Sequence, residues 1–101
     1  MKETKLMEID RIIHEPARLR IMMILAGLEQ ADFTFLATTL SLTRGNLNRH
    51  MEKLESAGYL KVKRSFKGKV RNTSYQLTQK GSKSLARYWE NLDAIRRSGQ
   101  P

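Results

Sequence analysis

The sequence predicts a mainly helical fold carrying one small β-hairpin, and three observations support it. Apolar residues recur at helical spacing in successive segments up to Gly58. From Tyr59 the period switches to alternation, with Leu60 and Val62 set between lysines. Lys67, Gly68 and Lys69 then form a turn signal, after which a short returning strand leads into a last helical stripe.

Taken in order, residues 5–13 place Leu6, Ile9 and Ile13 on one face and predict a short helix. Pro16 suits the first turn of a second helix, where its missing N–H costs nothing. That helix is expected to run to about residue 28 with Leu19, Met22, Met23 and Leu25 among its apolar positions. Ile21 and Ile24 widen its stripe, so it is expected to be well buried, and Gly27 fits its end. Asp32 and Phe33 can form a very short strand. Thr34 is expected to cap a third helix over 35–40, and Ser41 and Leu42 form the turn. Thr43 can cap a fourth helix over 44–57, with Gly58 as its left-handed stop and Leu47, Met51 and Leu54 as its buried stripe. Strands are expected over 59–66 and 72–77. Thr78 then caps a final helix with the stripe Leu85, Tyr88, Trp89, Leu92 and Ile95. This order is a winged helix-turn-helix: a three-helix core plus wing, with extra N- and C-terminal helices.

A chain of 101 residues is one domain's worth, and it can bury one modest core. It has no cysteine, hence no disulfide framework and no thiolate metal site. No run approaches the roughly 20 apolar residues of a membrane helix. The absence of cysteine suits a reducing cytoplasm, and the opening MKETKLMEID lacks the apolar stretch of a signal peptide.

Charge is the most localised property of the chain. The formal net charge is +9. Residues 56–89 carry Lys61, Lys63, Arg64, Lys67, Lys69, Arg71, Lys80, Lys83 and Arg87 and no acidic residue, so this third accounts for all of it. A basic segment of this kind fits a polyanionic partner.

The stretches "LTRGNLNRHMEKLESAGYL", "FKGKVRNTSYQLT" and the "KG" that follows resemble, in their order and spacing, the compact MarR/ArsR-like winged helix DNA-binding domain family of transcriptional regulators. The opening "IIHEPARLRIMMIL" is similar to the start of the same regulators, and the resemblance covers about residues 9–92. It implies a dimeric cytoplasmic regulator, and repression is what it implies about the direction of control. The chain departs from ArsR-type metal sensors, which use cysteine ligands, and it is shorter than MarR-type proteins whose extra helices frame a ligand pocket. No effector is indicated.

If Leu47, Met51 and Leu54 face the core, about 100° per residue turns Gly45, Asn48, Arg49, Glu52 and Ser56 outward. Asn46 and Lys53 lie toward one flank. Arg pairs bidentately with guanine and Asn with adenine, whereas Gly45 lets a helix approach closely. Thr43, Arg44 and Asn46 suit phosphate at the positive end of the helix. At the hairpin tip Lys67, Lys69 and Arg71 can reach a minor groove or its phosphates, with Lys61, Lys63 and Arg64 preceding them. Lysines also protect an edge hairpin, which explains two or three of them but not the absence of any acid. Lys80, Lys83 and Arg87 fit a solvated helix face. Leu6, Ile9 and Ile13 with Leu85, Tyr88, Trp89, Leu92 and Ile95 form the expected dimer interface.

His50 reads as a packing or hydrogen-bonding residue and His14 as local structure at a helix junction. No His spacing or carboxylate cluster fits zinc, no Gly-rich phosphate loop is present, and nothing arranges a base around a Ser or Thr. The expectation is therefore a homodimeric, sequence-specific regulator of double-stranded DNA, with no enzyme activity, metal, cofactor or membrane partner. Two other classes stay open: a protein-interaction winged helix of a transcription assembly, and an RNA- or ribosome-associated basic module.

Overall fold

A computed structural model of the protein describes residues 8–99. Among them, four helices and three strands follow in order: α1 (Pro16–Ala26), β1 (Ala31–Asp32), α2 (Phe33–Leu40), α3 (Arg44–Ser56), β2 (Leu60–Lys67), β3 (Val70–Leu77) and α4 (Gln79–Ser98). The strands form one antiparallel sheet in the order β1-β3-β2. The mainly helical class with a hairpin wing is thus what the chain forms.

The N-terminal expectation is corrected. Residues 8–10 have no regular structure and 11–13 form a turn, while Leu6 and the start of the expected helix lie outside the described residues. Asp10 is the cause. Its carboxylate accepts from the backbone N–H of Ile12 (2.9 Å) and Ile13 (3.2 Å), and from the Tyr59 hydroxyl. A side chain that binds nearby amides in this way competes with helix formation.

Helix α1 opens on Pro16, as expected, with the Glu15 carboxylate accepting from Arg18 N–H at 2.8 Å. It buries Arg18, Ile21, Met22 and Leu25, while Met23 is half exposed. Apolar residues surround this helix, so its pattern alone did not select the buried face. Helix α2 starts two residues earlier than predicted. Its cap is Asp32, whose carboxylate accepts from Phe35 N–H at 2.8 Å, and Thr34 lies inside the helix. Ser41 ends it with a left-handed backbone (φ 55°), which turns the chain directly toward α3.

Thr43 caps α3 by accepting from Asn46 N–H at 3.1 Å, and Gly58 follows at φ 84°. Thr78 caps α4 by accepting from Gly81 N–H at 2.9 Å while donating to the Gly58 carbonyl at 2.6 Å. One hydroxyl therefore ties the end of α3 to the start of α4. Gly81 is required by a close approach: a Cβ there would sit 2.3 Å from the Tyr59 carbonyl oxygen.

The core draws on every helix. Ile13, Ile21, Met22, Leu36, Leu47 and Leu54 have no exposed surface. Arg18 is buried among them. Its Nε donates to the Ile12 carbonyl at 2.6 Å and its Nη1 lies 3.2 Å from His50 Nδ1, linking the N-terminal turn and α1 to α3.

Burial, then the hydrogen bond to Asp10, pushes the Tyr59 phenol above its ordinary value of 10.0. Burial likewise raises Tyr75 and Tyr88. A group whose folded pKa lies above its unfolded one binds the proton better when folded. Its contribution is complete below about pH 10 and disappears as pH climbs through the folded value. Stability is therefore expected to fall above about pH 10. Tyr59→Phe should lose about 1.5 kcal/mol at neutral pH and show a shallower alkaline decline, as read from urea midpoints between pH 7 and 11.

Candidate nucleic-acid interface

The site is built on the roll of α3. Leu47, Met51 and Leu54 are 0, 2 and 0 % exposed, so the helix has one seating on the core. Arg44, Gly45, Asn46, Asn48, Arg49, Glu52, Lys53 and Ser56 are all exposed as a result. The N-terminus of α3 presents its free amides and the positive end of its dipole beside these groups. Arg49 donates from Nη2 to Asn46 Oδ1, which makes these two a joined pair on one flank. Arg44 folds back over the Phe33 ring, 4.7 Å from its centre. Thr43 serves as the cap and keeps an exposed side. Lys53 follows one turn after Arg49 on the same flank, where Ile12, Arg49, Glu52 and Ala57 line a shallow groove with it.

Paired residues of an antiparallel ribbon share a face, and successive residues alternate. The register pairs Leu60 with Leu77, Val62 with Tyr75, Arg64 with Thr73 and Phe66 with Arg71. Because Leu60 and Tyr75 are buried against the helices, Arg64 and Arg71 face the same way. They close a cleft of about 520 Å³ with Arg44, Gly45 and Asn48 of α3. The other predicted wing cations separate. Lys61, Lys63 and Lys67 project from the opposite face, paired with Gln76, Ser74 and Val70, and Lys63 and Lys67 line a second hollow there with Asp32 and Ser74. Lys69 lies in the turn beside Gly68, whose φ of 64° closes the hairpin.

The cleft also takes in Phe33, Thr34, Asn72, Thr73 and Tyr75, none of which the sequence reading selected. The parity of Leu60 and Val62 already carried the signal that would divide the wing cations by face. Nothing local indicated that Phe33 and Thr34, at the start of the preceding helix, would border it. Arg64 and Arg44 also act on Tyr75, opposing the rise that burial imposes on its phenol.

The expected dimer residues also divide. Ile13, Leu85 and Tyr88 are 0, 7 and 3 % exposed and belong to the protomer's own core, so they have little surface left to offer a second chain. Ile9 and Leu92 pack partly against that core. Trp89 is 43 % exposed and Ile95 is half-buried on α4. Of the histidines, His50 approaches Arg18 (3.2 Å) and Glu15 (3.9 Å), and His14 Nδ1 lies 2.8 Å from the Tyr88 hydroxyl. Both are structural contacts. No group of three His, Asp or Glu that could hold a metal occurs among the described residues.

Against this geometry, the family model of a winged helix DNA-binding domain matches residues 17–95. The chain belongs to the winged helix DNA-binding domain family. This winged helix domain is 38 % identical over 79 residues to an uncharacterised protein of Methanocaldococcus jannaschii, a match that spans 77 % of this chain and 85 % of the relative. Its fold is similar to the structure of a transcriptional regulator homologue from Pyrococcus horikoshii OT3, with a TM-score of 0.83, 30 % identity and 97 % coverage of both chains. It is also similar to a transcriptional repressor, CouR, bound to a 23-mer DNA duplex. There the TM-score is 0.72 and the identity 26 %, covering 89 % of this chain and 64 % of that one. No described helix of the winged helix domain is long and apolar enough to cross a membrane.

Gly45 separates fold from function in this site. A Cβ at Gly45 would meet nothing within 4 Å, and its backbone is not left-handed. Glycine in a helix is inferior to alanine by roughly 0.5–1 kcal/mol. Gly45→Ala is expected to stabilise the free protein by about 0.5 kcal/mol, measured as a higher urea midpoint at unchanged slope.

Proposed function

We propose that this protein is a homodimeric, cytoplasmic transcriptional regulator, acting as a repressor, that reads double-stranded DNA with α3 in the major groove and grips the adjoining backbone with its wing. The carrying observation is the shared cleft. The outward side of α3 and the Arg64–Arg71 face of the hairpin open onto the same space, so one duplex can meet both. Family membership and the DNA-bound fold neighbour support the same reading.

The division of labour follows from chemistry. Asn48 and the Asn46–Arg49 pair supply amide and guanidinium groups for base edges. Thr43, Arg44 and the first amides of α3 suit phosphate. Arg64 and Arg71 supply charge on the face of the wing that looks onto α3, and Lys67 and Lys69 supply it at the tip, where the hairpin turns. Lys61 and Lys63 project from the far face and add field more than contact. Lys53, one turn after Arg49 on the same flank, suits a phosphate beside that pair. Repression would be steric, by occupying an operator. No step requires a cofactor, a metal or catalytic chemistry.

Trp89, Leu92 and Ile95 on α4, with Ile9 beside them, support pairing. A two-fold partner would set two reading helices about 34–36 Å apart, on successive major grooves. Sedimentation at micromolar concentration is expected to give a dimer, and Trp89→Glu should shift it toward 11.7 kDa. A wild-type chain that sediments as a monomer at all concentrations and on DNA refutes the pairing.

Selection of bound duplexes from a random library, followed by anisotropy titration, tests DNA reading. An inverted repeat is expected. Lys67→Glu with Lys69→Glu should weaken all duplexes alike and flatten the salt dependence. Arg49→Ala should cost about 1–3 kcal/mol on the selected duplex and far less on a scrambled one. Gly45→Ala should bind more weakly despite its greater stability. Equal affinity of wild type for selected, scrambled and RNA duplexes would reject the sequence-specific reading.

A further inference from the structure

Beyond the cations, the wing carries two apolar side chains that the fold does not use. Phe66 is 68 % and Val70 is 70 % exposed, more than any other large apolar residue described. Neither belongs to the core or to the apolar residues packed against it. An edge hairpin protected against aggregation would carry charge at both positions.

Their placement is specific. Strand β1 pairs with β3 only at Tyr75 and Ser74. The pairs Arg64–Thr73, Ser65–Asn72, Phe66–Arg71 and Lys67–Val70 therefore extend past the third strand as a free two-stranded ribbon. At about 3.3 Å per residue, it projects roughly 13 Å from the sheet. Phe66 shares a face with Arg71, and Val70 shares the opposite face with Lys67. The tip thus has an apolar group on each side, and each is paired with a cation.

We infer that Phe66 and Val70 form an apolar wedge that seats in the minor groove next to the major groove occupied by α3, contacting deoxyribose walls and loosening a base step. This rests on the DNA-binding reading above. The occupant follows from continuity and charge. Phe66 lies on the face that holds Arg64 and Arg71, so a duplex against α3 runs along this face to the tip. The groove has phosphates on both rims, which suit Lys67, Lys69 and Arg71, and sugar walls that suit apolar groups. Apolar side chains driven into a minor groove partly unstack bases and favour flexible pyrimidine–purine steps. The wing then contributes selectivity through deformability, at base pairs to which no side chain need hydrogen-bond.

The test uses the full chain and a duplex recovered by selection, with 2-aminopurine placed at each step of the wing-side minor groove in turn. Wild type is expected to raise the fluorescence at one step. Phe66→Ala should abolish that rise and weaken binding roughly tenfold with an unchanged salt slope, because no phosphate contact is lost. Lys67→Ala with Lys69→Ala should instead flatten the slope and keep the rise. Replacing pyrimidine–purine steps near the tip with an A-tract should remove most of the difference between wild type and Phe66→Ala. Circular dichroism confirms folding, which an exposed position should not disturb. If wild type binds the selected duplex and Phe66→Ala matches it in affinity and fluorescence, the wedge is overturned while DNA binding stands. If wild type binds no duplex but binds vesicles of anionic lipid through Phe66, both readings are overturned.

Discussion

The seating of α3 is the constraint on which the rest of the interface depends. Three side chains, Leu47, Met51 and Leu54, are removed from water on one stripe. Burial of each contributes about 2 kcal/mol, and a rotation of one residue position would expose them while burying Asn48 or Glu52. The outward polar face is therefore a consequence of core packing. The buried Arg18 reinforces this by joining the N-terminal turn, through Nε, to His50 on the same helix, through Nη1.

The second constraint is the pleat of the hairpin. Register divides the wing's cations into two sets on opposite faces. Arg64 and Arg71 join α3 across the cleft, whereas Lys61, Lys63 and Lys67 face away from it. A charge count treats these residues as equivalent, and the sheet does not. The same alternation places Phe66 and Val70 on opposite sides of one tip, where apolar exposure and positive charge occur together.

The two ends of the domain are fastened more tightly than helix periodicity implies. Asp10 binds two backbone amides and the Tyr59 hydroxyl, so the segment before Pro16 is a strap on the core rather than a free helix. Asn91 on α4 donates to the Glu8 carbonyl at 2.9 Å, and His14 meets Tyr88. The apolar surface left exposed on α4 is consequently narrower than the apolar sequence stripe, with Trp89 its most exposed member.

By itself the sequence determined the order of elements from Pro16 onward, the caps at Thr43 and Thr78, the stops at Gly27 and Gly58, the buried stripe of α3 and the concentration of charge around the wing. These are local matters: a hydroxyl reaching an amide three residues on, a left-handed glycine, a repeat of 3.6 or 2. Only the tertiary structure decided which side of α1 is buried, that Arg18 joins the core, that Asp10 replaces a helix with a turn, and that Ile13, Leu85 and Tyr88 complete the protomer. It alone brought Phe33, Thr34 and Tyr75 to the cleft beside α3. Each of these outcomes depends on partners many residues away, whose approach is set by packing and strand pairing, and periodicity along one segment does not record such partners.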